Sequence, residues 1–120
     1  MNKVFVFDID GTLLNGNLHL TDCVLSAINH IKGKGCKITI ATGRSALWSI
    51  PILDKLQIGI PYISSGGACI KDPVNNNIFF QNNIDKSLVY QLLNSTSKCN
   101  FEGQREVSCG KMNTSQTPHQ

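Results

Sequence analysis

Asp8 and Asp10 stand one residue apart, directly after the apolar run Val4-Phe5-Val6-Phe7 and directly before Gly11-Thr12. A carboxylate beside a core is costly, so two of them at the end of an apolar strand point to a task. In a strand the two alternate, yet Gly11 breaks the strand at once and lets both side chains meet over its C-terminal edge. That edge is where open α/β sheets take their ligands. An acid that attacks, an acid that handles a proton and a turn of free backbone N–H groups together suit phosphoryl transfer. A strand closed by a solvated Asp-Gly turn accounts for Asp10-Gly11, but leaves Asp8 and Thr12 unexplained.

A second chemical element follows at a β-α-β distance. Lys37-Ile38-Thr39-Ile40-Ala41 reads as a short parallel strand, and Thr42-Gly43-Arg44 comes at its C-terminal end. A hydroxyl there can hydrogen-bond a phosphoryl oxygen, and Gly43 lets the backbone approach closely. Taken alone, the triplet fits equally well a Thr capping the next helix with a solvated Arg.

The elements that must hold these residues are readable. Thr21 caps a helix with Val24, Leu25, Ile28 and Ile31 on one face, stopped by Gly33 and Gly35. Ser45 caps a second, with Leu47, Ile50, Leu53 and Leu56 inward and Pro51 kinking or restarting it. Trp48 reads as core or as helix-packing surface. Pro61-Tyr62-Ile63-Ser64 reads as a third strand. Ile78-Phe79-Phe80-Gln81 pairs as a hairpin with the strand around Ile70, across an Asp72-Pro73…Asn77 turn. Asp85 opens a third amphipathic stretch with Leu88, Val89, Leu92 and Leu93.

Residues 4–14 resemble the first signature of the haloacid dehalogenase-like (HAD) superfamily, a hydrophobic strand running into Asp-x-Asp-Gly-Thr-Leu-Leu. Ala41-Thr42-Gly43-Arg44 resembles the second signature in its Cof-like phosphatase form. The likeness covers about residues 1–97. Many Cof-like proteins carry Asn-Gly-Ala where this chain has Gly66-Gly67-Ala68, so any polar role of that Asn is absent. The glycine pair is then a plain turn or a phosphate contact.

The resemblance implies an α/β fold: a HAD-like (Rossmann-like) parallel sheet with flanking helices, truncated before the cap is complete. Residues 1–82 are expected to form the N-terminal half of the core and residues 83–102 the start of the cap with its first helix. It implies phosphate monoester hydrolysis through an aspartyl-phosphate on Asp8, with Asp10 as general acid and base. Thr42 orients the phosphoryl group with the backbone of Gly11, Thr12 and Gly43, and Arg44 joins the phosphate-binding set. The implied cofactor is Mg²⁺, held by the Asp8 carboxylate and the Asp10 backbone carbonyl, and the implied partner is a phosphorylated small molecule.

The family's later signatures, a Lys and a Gly-Asp-type acidic loop, are missing. After Arg44 the lysines are Lys55, Lys71, Lys86, Lys98 and Lys111, none in the family's context, and no Gly-Asp pair occurs. The expectation is an N-terminal portion that alone is inactive or weakly active. Its first strand then becomes an exposed apolar edge that invites another chain. The alternative is a non-catalytic remnant that binds phosphate or pairs with a partner through that strand. A response-regulator receiver needs an Asp ending the third strand, where this chain has Ile63-Ser64-Ser65.

Composition narrows the rest. A net charge of +3 without a basic stripe gives no support to nucleic-acid binding. No run is long enough to span a membrane. Five cysteines lack metal-finger or Cys-x-x-Cys spacing, and Cys23 and Cys69 read as reduced core residues. With Met1-Asn2-Lys3 leading straight into the first strand, a cytoplasmic setting is the default. Residues 103–120 contain no Ile, Leu, Phe, Tyr or Trp and read as a polar, disordered tail, low-complexity or frame-shifted in origin.

Overall fold

The computed structural model describes residues 3–97. The disordered-tail reading, and residues 98–102 of the cap reading, lie outside them. The chain divides into two compact units, Met1–Asn82 and Asn83–Gln120. In the first, β1 (Val4–Phe7), α1 (Asp22–Gly33), β2 (Lys37–Ile40), α2 (Ala46–Lys55) and β3 (Tyr62–Ser64) alternate along the chain. A 3-10 turn (Ser65–Gly67) and the strands β4 (Cys69–Lys71) and β5 (Ile78–Gln81) follow. The second unit holds α3 (Lys86–Ser97), whose first turn is held by Asp85 accepting hydrogen bonds from the backbone N–H and hydroxyl of Ser87.

β1 and β2 pair in parallel from Val4↔Lys37 to Phe7↔Ile40. A parallel bridge, Ala41↔Ile63, carries the sheet on to β3, and the Thr39 hydroxyl donates to the Pro61 carbonyl at 2.7 Å below it. From β3 the pairing turns antiparallel through β4 to β5, with Ile63↔Ile70 and Ile70↔Phe80 opposite one another. The hairpin read around Ile70 is therefore present. Its turn is built by the Asp72 carboxylate, which accepts from the Val74 N–H at 2.8 Å.

The core joins both helices to the sheet. Ile9, Ile28, Ile40, Leu53, Leu56 and Tyr62 are among its buried residues. α1 follows the expected face: Thr21 Oγ1 accepts from Val24 N at 3.4 Å, and Ile28 is buried with Val24, Leu25 and Ile31 packed beside it. Gly35 ends it in the left-handed region at φ +78°, its N–H on the Lys32 carbonyl at 2.9 Å. The Lys32 ammonium reaches across to the carbonyls of Leu56 and Gln57, tying α1 to the end of α2.

α2 corrects the expected facing. It runs through Pro51 without a restart, and its buried face is Ser49, Ile52 and Leu53, continued by Leu56 just past its end. Leu47 is 72% exposed and Ile50 42%. Trp48 is exposed and does not join the core. Apolar residues nearly encircle this helix, so their spacing alone could not choose a face. Ser49 enters cheaply because its hydroxyl donates to the Ser45 carbonyl at 3.0 Å. Cys23 is likewise exposed rather than core, and Cys69 half-buried; both are free thiols.

β1 presents its unpaired edge as the sequence suggested: Val4 is 53% and Val6 54% exposed, and among the described residues only β2 pairs with it. Phe5 and Phe7 stack on one face with ring centroids 6.3 Å apart. At the other side, the fully buried Ser64 hydroxyl has no hydrogen-bond partner among the described residues. Ser64→Ala is therefore expected to raise stability by about 1 kcal/mol, since it removes an unsatisfied buried group. Urea denaturation at constant m-value measures this, and a loss of stability would show that the hydroxyl is satisfied.

Candidate active site

Three loops leave the C-terminal edge of the sheet. The last β1–β2 pair is Phe7↔Ile40, and Ala41 N donates to the Phe7 carbonyl at 2.9 Å. Asp8 and Thr42 thus emerge from neighbouring parallel strands at nearly the same level. The third loop, Ser65–Gly67, follows β3 on the far side of β2.

The first loop is pinned by Ile9, which is fully buried between two exposed acids. Its carbonyl accepts from Leu13 N and Leu14 N, each at 3.0 Å, and from Thr12 N at 3.4 Å. Gly11 makes this tight return at φ +77°, a conformation that a side chain would strain. Leu13 and Leu14 then drop into the core. The result is one apolar anchor with a carboxylate on either side. Among the described residues no group hydrogen-bonds or ion-pairs with the Asp8 carboxylate.

The second loop is held from behind. Thr42 is buried; its N–H donates to the Ile63 carbonyl at 3.0 Å and its Oγ1 accepts from Arg44 N at 3.1 Å. Because the oxygen accepts from the backbone, the hydroxyl hydrogen remains available to donate to another acceptor. The Ser65–Gly67 turn completes the support: Ser65 N donates to the Arg44 carbonyl at 2.7 Å and Gly66 N to the Thr42 carbonyl at 3.1 Å. Ser65, Gly66 and Gly67 all adopt positive φ. The Ser65 and Gly66 amides thus turn inward as a buttress for the second loop. Ser65 was not singled out by sequence reasoning, and the adjoining Gly66-Gly67 was the signal that could have found it. An open cleft of about 300 Å³, lined by Ala41, Thr42, Gly43, Ile63, Gly66 and Gly67, lies between these two loops.

Asp10 and Arg44 join the first loop to the second. Arg44 Nε donates to Asp10 Oδ2 at 2.8 Å and Nη2 to Oδ1 at 2.6 Å, a two-pronged ion pair. These hydrogen bonds hold the Asp10 carboxyl below its ordinary value; partial burial opposes them and the guanidinium charge adds to them. The folded-state value is depressed, so the stabilisation is complete above the unfolded value of 3.8 and disappears as pH falls through the lower folded one. Both side chains meet solvent, at 25% exposure for Arg44 and 47% for Asp10, so the contribution is about 0–1 kcal/mol. The stability gap between the wild type and Arg44→Gln should be flat from neutral pH to about pH 5 and close below about pH 4. A gap that widens on acidification would contradict the pairing.

The structure thus brings Asp8, Asp10, Gly11, Thr12, Thr42, Gly43 and Arg44 to one edge. Arg44, expected among the phosphate contacts, lies on the Asp10 carboxylate. No cluster of three or more His, Cys, Asp or Glu that could hold a metal occurs among the described residues.

The family model for haloacid dehalogenase-like hydrolase matches residues 5–113. Phosphatase YwpJ of Bacillus subtilis is 29% identical over 99 residues, covering 82% of this chain and 34% of that protein. Among solved structures, a haloacid dehalogenase-like hydrolase from Bacillus subtilis aligns with a TM-score of 0.68 at 30% identity, covering 82% of this chain and 34% of the other. A haloacid dehalogenase-like hydrolase from Bacteroides thetaiotaomicron aligns at 0.74 and 22% identity, covering 82% and 38%, a likeness of fold. The chain spans about a third of the length of the curated relatives it matches.

Proposed function

Because the chain belongs to the haloacid dehalogenase-like hydrolase family, we propose that it carries the phosphoryl-handling portion of a cytoplasmic, Mg²⁺-dependent phosphomonoester phosphatase. One observation carries this reading above the others. Asp8 and Thr42 leave adjacent parallel strands at one edge, and the Asp10–Arg44 pair bridges their loops.

An Asp8 carboxylate oxygen bonds to phosphorus while the bond from phosphorus to the ester oxygen breaks, and Asp10 gives its proton to the departing alkoxide. Asp10, now a carboxylate, takes a proton from water as that water's oxygen bonds to phosphorus and the bond from phosphorus to the Asp8 oxygen breaks, releasing phosphate and restoring the Asp8 carboxylate. Arg44 favours the charged, proton-accepting form of Asp10, whereas an incoming phosphoryl dianion favours the protonated form. The Thr42 hydroxyl and the backbone N–H groups of Gly11 and Gly43 orient the phosphoryl oxygens, and the Thr12 N–H joins them only by giving up its long bond to the Ile9 carbonyl.

Mg²⁺ is a hard cation that takes oxygen ligands and keeps several waters. The residues fit it in kind: the Asp8 carboxylate has no partner among the described residues, and Asp10, its side chain on Arg44, offers its backbone carbonyl. When bound there, the ion neutralises charge on the phosphoryl group. Full turnover also calls on the family's Lys and acidic loop, which residues 1–120 do not contain. Residues 83–102, whose described part holds α3, are read as the opening of the cap.

An amide NMR spectrum with and without Mg²⁺ and beryllofluoride tests the reading, because beryllofluoride imitates a phosphoryl group on an aspartate. Shifts centred on Asp8, Gly11 and Thr42 are expected; a spectrum unchanged by the ligand defeats the proposal. The exposed β1 edge favours a second reading, a remnant that pairs with another chain through Val4–Phe7. Sedimentation decides that one: a stably folded monomer, indifferent to added partner, counts against it.

A further inference from the structure

We propose that Arg44 is a positioning residue for Asp10 rather than a phosphate ligand, its anchored guanidinium gripping both carboxylate oxygens and setting the direction in which they face. The inference rests on the phosphoryl-site reading above, and deepens it by giving Arg44 a different task from the one its place in the motif suggests.

The two partners are held very differently. Arg44 is fixed on both sides of its own backbone, its N–H on Thr42 Oγ1 at 3.1 Å and its carbonyl accepting from Ser65 N at 2.7 Å. The fork therefore starts from a backbone held on both sides. Asp10 lies in an exposed turn just before Gly11, and both of its carboxylate oxygens go to the guanidinium. A planar fork matched to a planar carboxylate fixes its angle as well as its place, which a lysine ammonium cannot do. An exposed ion pair adds little to stability, so direction is the effect that matters here. The Nε–Nη2 edge is committed to Asp10, so this fork of Arg44 already points at the acid and not at a phosphoryl oxygen. A carboxylate that must serve a leaving oxygen and then a water needs this aim, because misdirected proton transfer loses rate even when binding is intact.

The test compares the whole chain with Arg44→Lys and Arg44→Gln by NMR, following the Asp10 carboxyl carbon and the Gly11 and Thr42 amides during titration with sodium tungstate. The clamp predicts that the Asp10 carboxyl resonance moves in both variants, while the tungstate dissociation constant stays within about threefold of wild type. Tungstate binding weakened about tenfold or more, with the Asp10 carboxyl unmoved, overturns the proposal and makes Arg44 an anion ligand. In the wild type alone, the Arg44 Nε proton should exchange slowly and quicken in Asp10→Asn; fast exchange in the wild type overturns the clamp without any Arg44 variant. Tungstate ignored by the wild type overturns the phosphoryl-site reading instead, and the carboxyl shift still decides the clamp.

Discussion

Replacing Asp8 with Asn is expected to abolish beryllofluoride attachment and to cut any phosphomonoesterase rate by about 10⁴-fold or more, as loss of a covalent nucleophile does. The amide is nearly isosteric with the carboxylate but lacks its charge and its nucleophilic oxygen. Asp8 is exposed and pairs with no other described residue, so its replacement should leave the fold intact. The prediction is sharp for that reason, since lost activity cannot be traced to lost structure. Circular dichroism and urea midpoints should match the wild type, while the Mg²⁺–beryllofluoride shifts at Gly11 and Thr42 vanish. A rate that survives Asp8→Asn, measured on protein free of contaminating phosphatase, would falsify the aspartyl-phosphate route. Asp10→Asn is a less clean experiment, because it also takes a partner from Arg44.

The second large effect belongs to the residue between the acids. Ile9→Ala is expected to cost about 2–5 kcal/mol, the range for emptying a fully buried aliphatic site. Ile9 has no exposed surface, and its neighbours Leu13 and Leu14 are buried with it. A small domain often has only about 5 kcal/mol or a little more in hand, so this change should unfold much of the population. Leu47→Ala is the control: it removes a similar side chain at 72% exposure and should shift stability by less than about 0.5 kcal/mol. Equal urea midpoints for the two variants would mean that Ile9 does not anchor the loop. The coupling also matters for function, because the side chain that keeps Asp8 and Asp10 outward is itself part of the core. Acid placement and folding here share one hydrophobic contact.

Much of the fold was legible in the residues because its determinants are short-range. Apolar strands ending in chemistry-bearing loops, a Thr at the start of α1 and a glycine at its end are all set by a few neighbouring positions. The Ile70 hairpin was legible for the same reason, its turn being made by Asp72 on its own backbone. α2 was not legible in its facing. Its apolar residues fall on every side, and only packing against the sheet and the end of α1 buries Ser49 and Ile52 while leaving Leu47 and Ile50 in solvent. Cys23 failed in the same way, an apolar-looking position on a helix that turns elsewhere.

The residues alone name the candidate phosphoryl-handling groups and the strand ends they occupy. A carboxylate after four apolar residues and a Gly at the break leave the backbone few choices. Which of those groups touch one another is set by the fold. Arg44 meets Asp10 across 34 residues of chain, and the Ser65–Gly67 turn reaches back to Thr42 and Arg44 from a third strand. Contacts of that span depend on the pairing of β1, β2 and β3 and on the angle at which each loop leaves the sheet. Local propensity carries no record of either, because it acts over a few residues while these distances are set by packing of the whole layer.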